Sequence, residues 1–140
     1  MTVQCRGIRG ATTCEANTRE AILMATRELL EQLIEANGIT PDAVACAIFT
    51  TTADLHAEYP AVAARALGWV DTALLCGHEM NVPHGLASCI RVLILWNTSR
   101  RSDELMHVYL HGARNLRPDR STALAAFRSL NPTTEDPAHS

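Results

Sequence analysis

The segment CIRVLILWN, residues 89–97, has the strongest strand pattern in the chain, because β-branched and large apolar residues fill most of it. A run this apolar predicts a strand that is buried on both faces of a sheet. It is too short to span a bilayer, and it contains Arg91. A buried arginine needs an anion beside it, because the guanidinium cannot lose its charge. That anion is either a carboxylate of the protein, such as Glu79, or part of a ligand.

Further strand patterns lie on both sides of this segment: residues 3–13, 43–51, 73–76 and 106–110. A long helix is predicted after the first strand, with Asn17 as its N-cap, Glu20 completing a capping box and Gly38 as its C-terminal stop. Pro60 suits the first turn of a short helix that continues through Leu67. This order of elements predicts an α+β domain with a mostly buried sheet.

The composition is that of a globular chain and excludes several classes of protein. In 140 residues, 47% are hydrophobic and 19% are charged, which fits a single folded domain. A formal net charge of -3 argues against a nucleic-acid partner. The first ten residues lack the apolar stretch of a signal peptide. We therefore expect a cytoplasmic protein with no membrane partner, folded over residues 1–119, with a polar and mobile tail over residues 120–140.

Four side chains outside the apolar segment are candidates for binding. Arg9 lies in the first strand among small residues, which let a ligand approach closely. Glu79 follows the end of a strand, where ligand sites of α/β proteins gather. Tyr109 lies in the last strand, and Arg117 opens the tail, where it is either a lid or a solvated charge. Each also has an ordinary interpretation as a surface charge or, for Tyr109, as a core tyrosine.

Metal and thiol chemistry are less well supported. Four residues of metal-ligand type lie close in sequence: Cys76, His78, Glu79 and His84. Their spacing is not that of a helical zinc motif, and Pro83 would break such a helix. The five cysteines include no CxxC pair, and Cys76 with His56 or His107 is a weak candidate for a nucleophile. We expect no metal and no cofactor; the arginines, Glu79 and Tyr109 suit a polyanionic ligand.

Six segments resemble, in the same order, the AroH-class chorismate mutases of the Bacillus type: RGIRGATT (6–13), DLHAEYPAVAAR (54–65), CGHEM (76–80), CIRV (89–92), HVYL (107–110) and LRPD (116–119). The resemblance implies a Claisen rearrangement of chorismate to prephenate, in aromatic amino acid biosynthesis. It also implies a pseudo-α/β-barrel that forms as a homotrimer, with the active sites between subunits.

The resemblance assigns site residues by position. One subunit would contribute Arg9, Cys76, Glu79, Arg91 and Tyr109, and its neighbour Tyr59, Ala61 and Arg65. Leu116 and Arg117 would belong to a tail that closes over the substrate. Arg91 would face the ether oxygen, Arg9 and Tyr109 would hold a carboxylate, and Glu79 with the Cys76 backbone would hold the ring hydroxyl. Three positions depart from the family pattern: Tyr59 replaces phenylalanine, Val62 replaces lysine and Leu75 replaces threonine.

Two other functions use an arginine in a similar way. A trimeric imine or keto-acid deaminase of the YjgF/RidA type binds one carboxylate in a cleft between subunits, and a carboxylate-binding sensor would bind without turnover. A ligand with one carboxylate does not need Arg91 with Glu79 together with Tyr109 and Arg117. That set of residues therefore favours the mutase.

Overall fold

The structure places the apolar segment in the middle of a mixed sheet. The computed structural model describes residues 2–116, and within them the sheet has five strands: β1 (Gln4–Thr13), β2 (Val44–Thr51), β3 (Ala73–His78), β4 (Cys89–Thr98) and β5 (Val108–Tyr109). The same part of the chain contains two α-helices: α1 (Arg19–Asn37) and α2 (Ala61–Ala66). Short 3-10 helices cover Pro41–Ala43, Ser102–Glu104 and His111–Ala113. The predicted α+β class is confirmed.

The strand pairing lines up chemistry-bearing positions across the sheet. β4 is antiparallel to β1 on one side and to β2 on the other, and β3 and β5 are parallel outer strands in the order β3-β2-β4-β1-β5. The register sets one residue of each strand side by side, in what we call the central row: Gly77, Thr50, Arg91, Ala11 and Tyr109. Register thus decides which side chains can share a ligand.

The hydrophobic core lies on one face of the sheet, because both helices pack there. On β4, Val92 and Ile94 are buried in one cluster with Leu29 and Leu33 of α1. Burying each such side chain contributes about 1.5–3 kcal/mol. On the opposite face, which we call the open face, Arg91 is only half-buried. The prediction that this strand is buried on both faces is therefore wrong for the single chain.

Helix α1 begins one residue later than its sequence suggests. Thr18 is the N-cap, and its side chain accepts a hydrogen bond from the Ala21 N–H at 3.1 Å. Asn17 was predicted as the cap, but its Oδ1 instead accepts the backbone N–H groups of His56 and Ala57. At the other end Gly38 has a φ of 72°, the left-handed conformation expected of a C-terminal stop.

Two strands differ from their predicted lengths by more than one residue. β3 continues through His78 instead of ending at Cys76. The last strand is reduced to Val108–Tyr109, because the side chain of Asn37 makes hydrogen bonds with the backbone N–H and carbonyl of Met106. The Met106 N–H donates to Asn37 Oδ1 at 2.8 Å, and Asn37 Nδ2 donates to the Met106 carbonyl at 2.9 Å.

Strand β1 passes unusually close to α1 at Gly10. A Cβ atom on this residue would lie 2.8 Å from Leu33 Cδ1 and 3.1 Å from Leu29 Cδ1. Only glycine lets the strand and helix approach this closely without rearrangement. This contact therefore fixes the backbone next to Arg9.

The predicted tail over residues 120–140, and the boundary predicted at residue 119, lie outside the described residues.

Candidate active site

The open face of the sheet carries a cleft of about 450 Å³ over the central row. Its polar lining consists of Arg9, Thr50, Glu79, Arg91 and Tyr109. All except Thr50 were singled out from the sequence, where they are far apart. The fold brings them together because Arg9 lies two residues from Ala11 on β1, and Glu79 two residues from Gly77, so both follow the central row on the same face.

Arg9 and Tyr109 are joined directly at one side of the cleft. Arg9 Nη2 donates a hydrogen bond to Tyr109 Oη at 3.2 Å, and the Arg9 backbone N–H donates to His107 Nδ1 at 3.0 Å. Tyr109 is buried, whereas Arg9 is exposed. The phenol therefore orients the guanidinium at the cleft, which Arg9 also lines.

Arg91 and Glu79 form an ion pair at the other side of the cleft. Arg91 Nε lies 3.5 Å from Glu79 Oε1, and the two side chains retain 42% and 26% exposure. Glu79 is held by its own backbone, since its N–H donates to the Thr51 carbonyl at 2.8 Å. The pair is thus neither a deeply buried structural bridge nor a free surface contact. Both side chains line the cleft.

Two buried polar atoms of the cleft lack hydrogen-bond partners among the described residues: Thr50 Oγ1 and Arg91 Nε. The contact of Nε with Glu79 is an ion pair by distance, but it lacks the geometry of a hydrogen bond. Thr50 and Arg91 are direct cross-strand partners. Sequence reasoning missed Thr50, because nothing in the run AVACAIFTT distinguishes it. Only the register places it beside Arg91.

A second cleft, of about 370 Å³, holds other predicted site residues, with Tyr59 and Cys76 in its lining. Cys76 pairs with Phe49, a core residue, so its side chain points to the helix-covered face. Burial raises the pKa of the Cys76 thiol, and contact with the Ala61 backbone and the charge of Arg65 offset this in part. Cys76 therefore sits with Tyr59, Ala61 and Arg65, away from the side chains of the first cleft.

A carboxylate anchors the entry into β4 just before Arg91. Asp54 accepts hydrogen bonds from the Thr52 hydroxyl and, at 2.9 Å, from the Ser88 N–H. The Thr52 hydroxyl is the main reason that the pKa of Asp54 is lowered. Ser88 has a φ of 51°, a conformation that this hydrogen bond helps to hold.

The open-face cleft is built to bind negative charge. It presents two guanidinium groups and one phenol from the adjacent strands β4, β1 and β5, and one carboxylate just past the end of β3. Cys89 is close to Arg91, but burial raises its thiol pKa, and a protonated thiol is a poor nucleophile. Such a site suits a ligand with more than one anionic group and a reaction that depends on fixed charges.

The chain matches a known protein family over the residues that form this cleft. The sequence model of the family described as Chorismate mutase type I matches residues 5–120, which include every polar residue of the open-face cleft. The chain belongs to this chorismate mutase family. The resemblance noted in the sequence is thereby confirmed.

Two relatives are similar to this chain along most of their own length. Chorismate mutase AroH of Thermus thermophilus is 51% identical over 119 residues, which cover 84% of this chain and 98% of the relative. Chorismate mutase AroH of Bacillus subtilis (strain 168) is 47% identical over 117 residues, covering 83% and 92%. A solved structure of a chorismate mutase from Clostridium thermocellum superposes with a TM-score of 0.77 at 46% identity, covering 78% of this chain and 97% of that one. These relatives give no support to the deaminase or sensor alternatives.

The end of the described part of this chorismate mutase family member lies beside the open-face cleft. Leu116 packs against a small buried cluster that contains Ala11, Cys89 and Tyr109. The chain therefore leaves the described region next to the central row. Arg117, which was predicted to close over the substrate, lies outside the described residues.

The residues of metal-ligand type do not converge. Within residues 2–116, no group of three or more His, Cys, Asp or Glu side chains is placed to hold a metal ion. Glu79 faces the open-face cleft, whereas Cys76 and His78 line the second cleft. None of the helices among these residues is long and apolar enough to cross a membrane.

Proposed function

We propose that this chain catalyses the Claisen rearrangement of chorismate to prephenate, as the resemblance to the AroH-class enzymes implies. The observation that carries the proposal is that Arg9, Glu79, Arg91 and Tyr109 line one cleft in a member of the chorismate mutase family. Chorismate is a dianion, so a cleft with two guanidinium groups matches its charge. The reaction belongs to the biosynthesis of aromatic amino acids.

The rearrangement needs little from the protein except positioning and charge. One C–O bond breaks while one C–C bond forms within a single bound molecule, and no proton is transferred. The enzyme must hold the reactive folded conformer and stabilise the negative charge that grows on the ether oxygen. Both tasks suit arginines on the strands of a sheet, because such side chains need not reorganise during the reaction.

Each residue has a proposed role. Arg91 faces the ether oxygen, and its Nη groups, which lie beyond the contact with Glu79, stabilise the developing charge. Arg9, which Tyr109 orients, holds a carboxylate of the substrate. Glu79 accepts a hydrogen bond from the ring hydroxyl, with help from the backbone of Cys76. This backbone belongs to β3, an outer strand of the sheet among the described residues.

We further propose that the active chain is a homotrimer that forms a pseudo-α/β-barrel. The support is geometric: Arg9, Glu79, Arg91 and Tyr109 line the open face, while Tyr59, Ala61 and Arg65 lie by the second cleft on the helix-covered side. Because the sheet separates these groups within one chain, they meet around one ligand only if two chains contribute. The outer strand β3 also exposes Leu75, and 63% of its surface is accessible. An apolar side chain on an open edge suits contact with a neighbouring copy.

The test is a direct assay of the purified full chain with chorismate. Loss of chorismate and formation of prephenate are measured together, and light scattering gives the mass in the same buffer. We expect turnover, and a mass of three times the 15.3 kDa of one chain. Arg27→Ala is the matched control, since this guanidinium is exposed on α1 and pairs with Glu31. No prephenate at any protein concentration would overturn the proposed function, and a fully active monomer would overturn the trimer alone.

A further inference from the structure

Thr50 and Arg91 present complementary groups that are both unsatisfied. Thr50 Oγ1 and Arg91 Nε are buried and have no hydrogen-bond partner among the described residues, and the two residues are directly opposite each other on β2 and β4. A hydroxyl can accept, whereas a guanidinium nitrogen can only donate. Side chains at directly opposed positions have Cβ atoms about 5 Å apart, so rotation about their side-chain bonds can bring the two atoms together.

The ion pair with Glu79 explains why this bond is absent. Arg91 Nε lies 3.5 Å from Glu79 Oε1, a contact that is too long and too poorly aligned for a good hydrogen bond. The proposed function asks Glu79 to bind the ring hydroxyl and Arg91 to bind the ether oxygen. Both requirements pull the pair apart, so the buried Nε–H loses its nearest anion when the substrate enters. An unpaired buried donor on a charged group is costly.

We infer that Thr50 is a positioning residue, whose hydroxyl accepts the Nε–H of Arg91 when the cleft is occupied. The inference rests on the proposed function and extends it. In the empty cleft, the Nε of Arg91 lies beside the carboxylate of Glu79. In the occupied cleft, the Thr50 hydroxyl takes over, Glu79 turns to the substrate, and the Nη groups of Arg91 are fixed on the ether oxygen. Thr50 does not touch the reacting atoms and acts only through Arg91.

The test is a double-mutant cycle in kcat between Thr50→Val and Arg91→Lys. Valine keeps the branched shape but has no acceptor, and lysine keeps the charge but has no Nε–H. Thr50→Val alone should lower kcat by about tenfold or more, because a hydrogen bond to a charged group is lost, with KM changed less than about threefold. In the Arg91→Lys background the same substitution should change kcat by less than about twofold. Thr50→Ser, which restores the hydroxyl, should recover most of the rate.

Melting curves separate positioning from folding. Thr50→Val should melt at or above the wild-type temperature, because it removes a buried hydroxyl that has no partner in the ligand-free chain. Thr98→Val is the matched control: this buried strand threonine accepts the Arg100 N–H at 3.1 Å, far along β4 from the cleft. It should melt lower and keep the wild-type kcat.

Each outcome decides the inference. Thr50→Val with kcat within twofold of the wild type overturns it, and so does an equal loss in both Arg91 backgrounds. A rate that returns at high protein concentration also overturns it, since the hydroxyl then supports a contact between chains. If Thr50→Val fails to fold, Thr50→Ala and Thr50→Ser replace it, because they differ by the hydroxyl alone. If the wild type makes no prephenate, the proposed function fails, whereas an active wild type with normal Thr50 variants removes only this inference.

Discussion

Arg91 Nε lies 3.5 Å from Glu79 Oε1 in a cleft that leaves 42% of the arginine side chain exposed. Ion pairs that keep much of their solvent exposure contribute about 0–1 kcal/mol to the free energy of unfolding, because solvent screens them. Deeply buried pairs behave differently, since removing one partner costs about 3–5 kcal/mol. The geometry therefore predicts a small structural contribution from Arg91, and it supports the proposal that this residue binds the ligand.

Removing Arg91 should therefore affect catalysis far more than stability. We expect Arg91→Ala to lower kcat at least about 100-fold, since it deletes a donor to the developing charge, with a smaller change in KM. Arg91→Lys should recover only part of the rate, because it keeps a charge but loses the fork. Kinetics and melting curves measured on the same samples decide the matter. A normally melting Arg91→Ala chain within tenfold of the wild-type rate would remove Arg91 from the mechanism.

Tyr109→Phe should mainly weaken substrate binding. The substitution removes the acceptor for Arg9 Nη2 and frees the guanidinium, which then loses orientation towards the carboxylate. Because a carboxylate is held equally in the ground and transition states, KM should rise by about threefold to tenfold while kcat stays nearly constant. Steady-state kinetics over a wide range of chorismate concentrations measures both quantities. A fall in kcat without a rise in KM would contradict the role proposed for this pair.

Two inactive variants should restore activity when they are mixed. Arg9→Ala damages the open face, and Arg65→Ala damages the group beside the second cleft. In a mixed assembly, some sites combine the two intact halves, so refolding equal amounts together should recover a fraction of the wild-type rate. Each variant refolded alone is the control. Additive, unrecovered rates would mean that both arginines act within one chain.

Turnover should be nearly independent of pH between about 6 and 9. The rearrangement moves no proton between the substrate and the protein, so it needs no group in an intermediate protonation state. Chelators should also leave the rate unchanged. The measurement is kcat across this range in buffers of constant ionic strength, with and without EDTA. A limb of the profile near neutrality, or a rate that falls with EDTA, would show a general acid, base or metal in the cycle.

Asp54→Asn should destabilise the chain at neutral pH and much less in acid. The pKa of Asp54 is lowered in the folded chain, mainly by the Thr52 hydroxyl, from an ordinary value of 3.8. Its contribution is therefore complete above pH 3.8 and is lost as the pH falls through the lower folded value. Melting temperatures of the variant and the wild type should converge progressively as the pH falls below 3.8. Asp71→Asn, on an exposed loop position, is the control and should melt like the wild type at neutral pH.

Features of the fold that depend on neighbouring residues could be predicted from the sequence, whereas features that depend on distant contacts could not. Gly38 and Pro60 act locally: α1 ends before Gly38 as predicted, and α2 (Ala61–Ala66) begins one residue after Pro60 and ends one residue before Leu67. The N-cap at Thr18 was not predictable, because Asn17 is used by a loop far along the chain. The burial of Arg91 was overestimated for a related reason, since an apolar run does not tell which face the helices will cover.

Some residues of the candidate site could be recognised in the sequence, and others only in the structure. Charged and aromatic side chains such as Arg9 and Tyr109 are conspicuous in the sequence, and the cleft contains both. Thr50 carries no such signal, since its importance depends on strand register and on a missing hydrogen-bond partner. The grouping of Cys76 with Arg65 also had to come from the structure, because it depends on the direction in which an edge-strand side chain points.

The close approach of β1 to α1 at Gly10 limits which side chains a redesigned protein can carry between this strand and this helix. The backbone position of the neighbouring Arg9 depends on this contact, because the strand packs against the ends of Leu29 and Leu33. Enlarging either leucine would push the strand outward and displace the backbone that carries Arg9. Laboratory evolution of substrate affinity should therefore find beneficial changes in the helix, far from any atom that touches the ligand, and core-stabilising designs should leave this contact untouched.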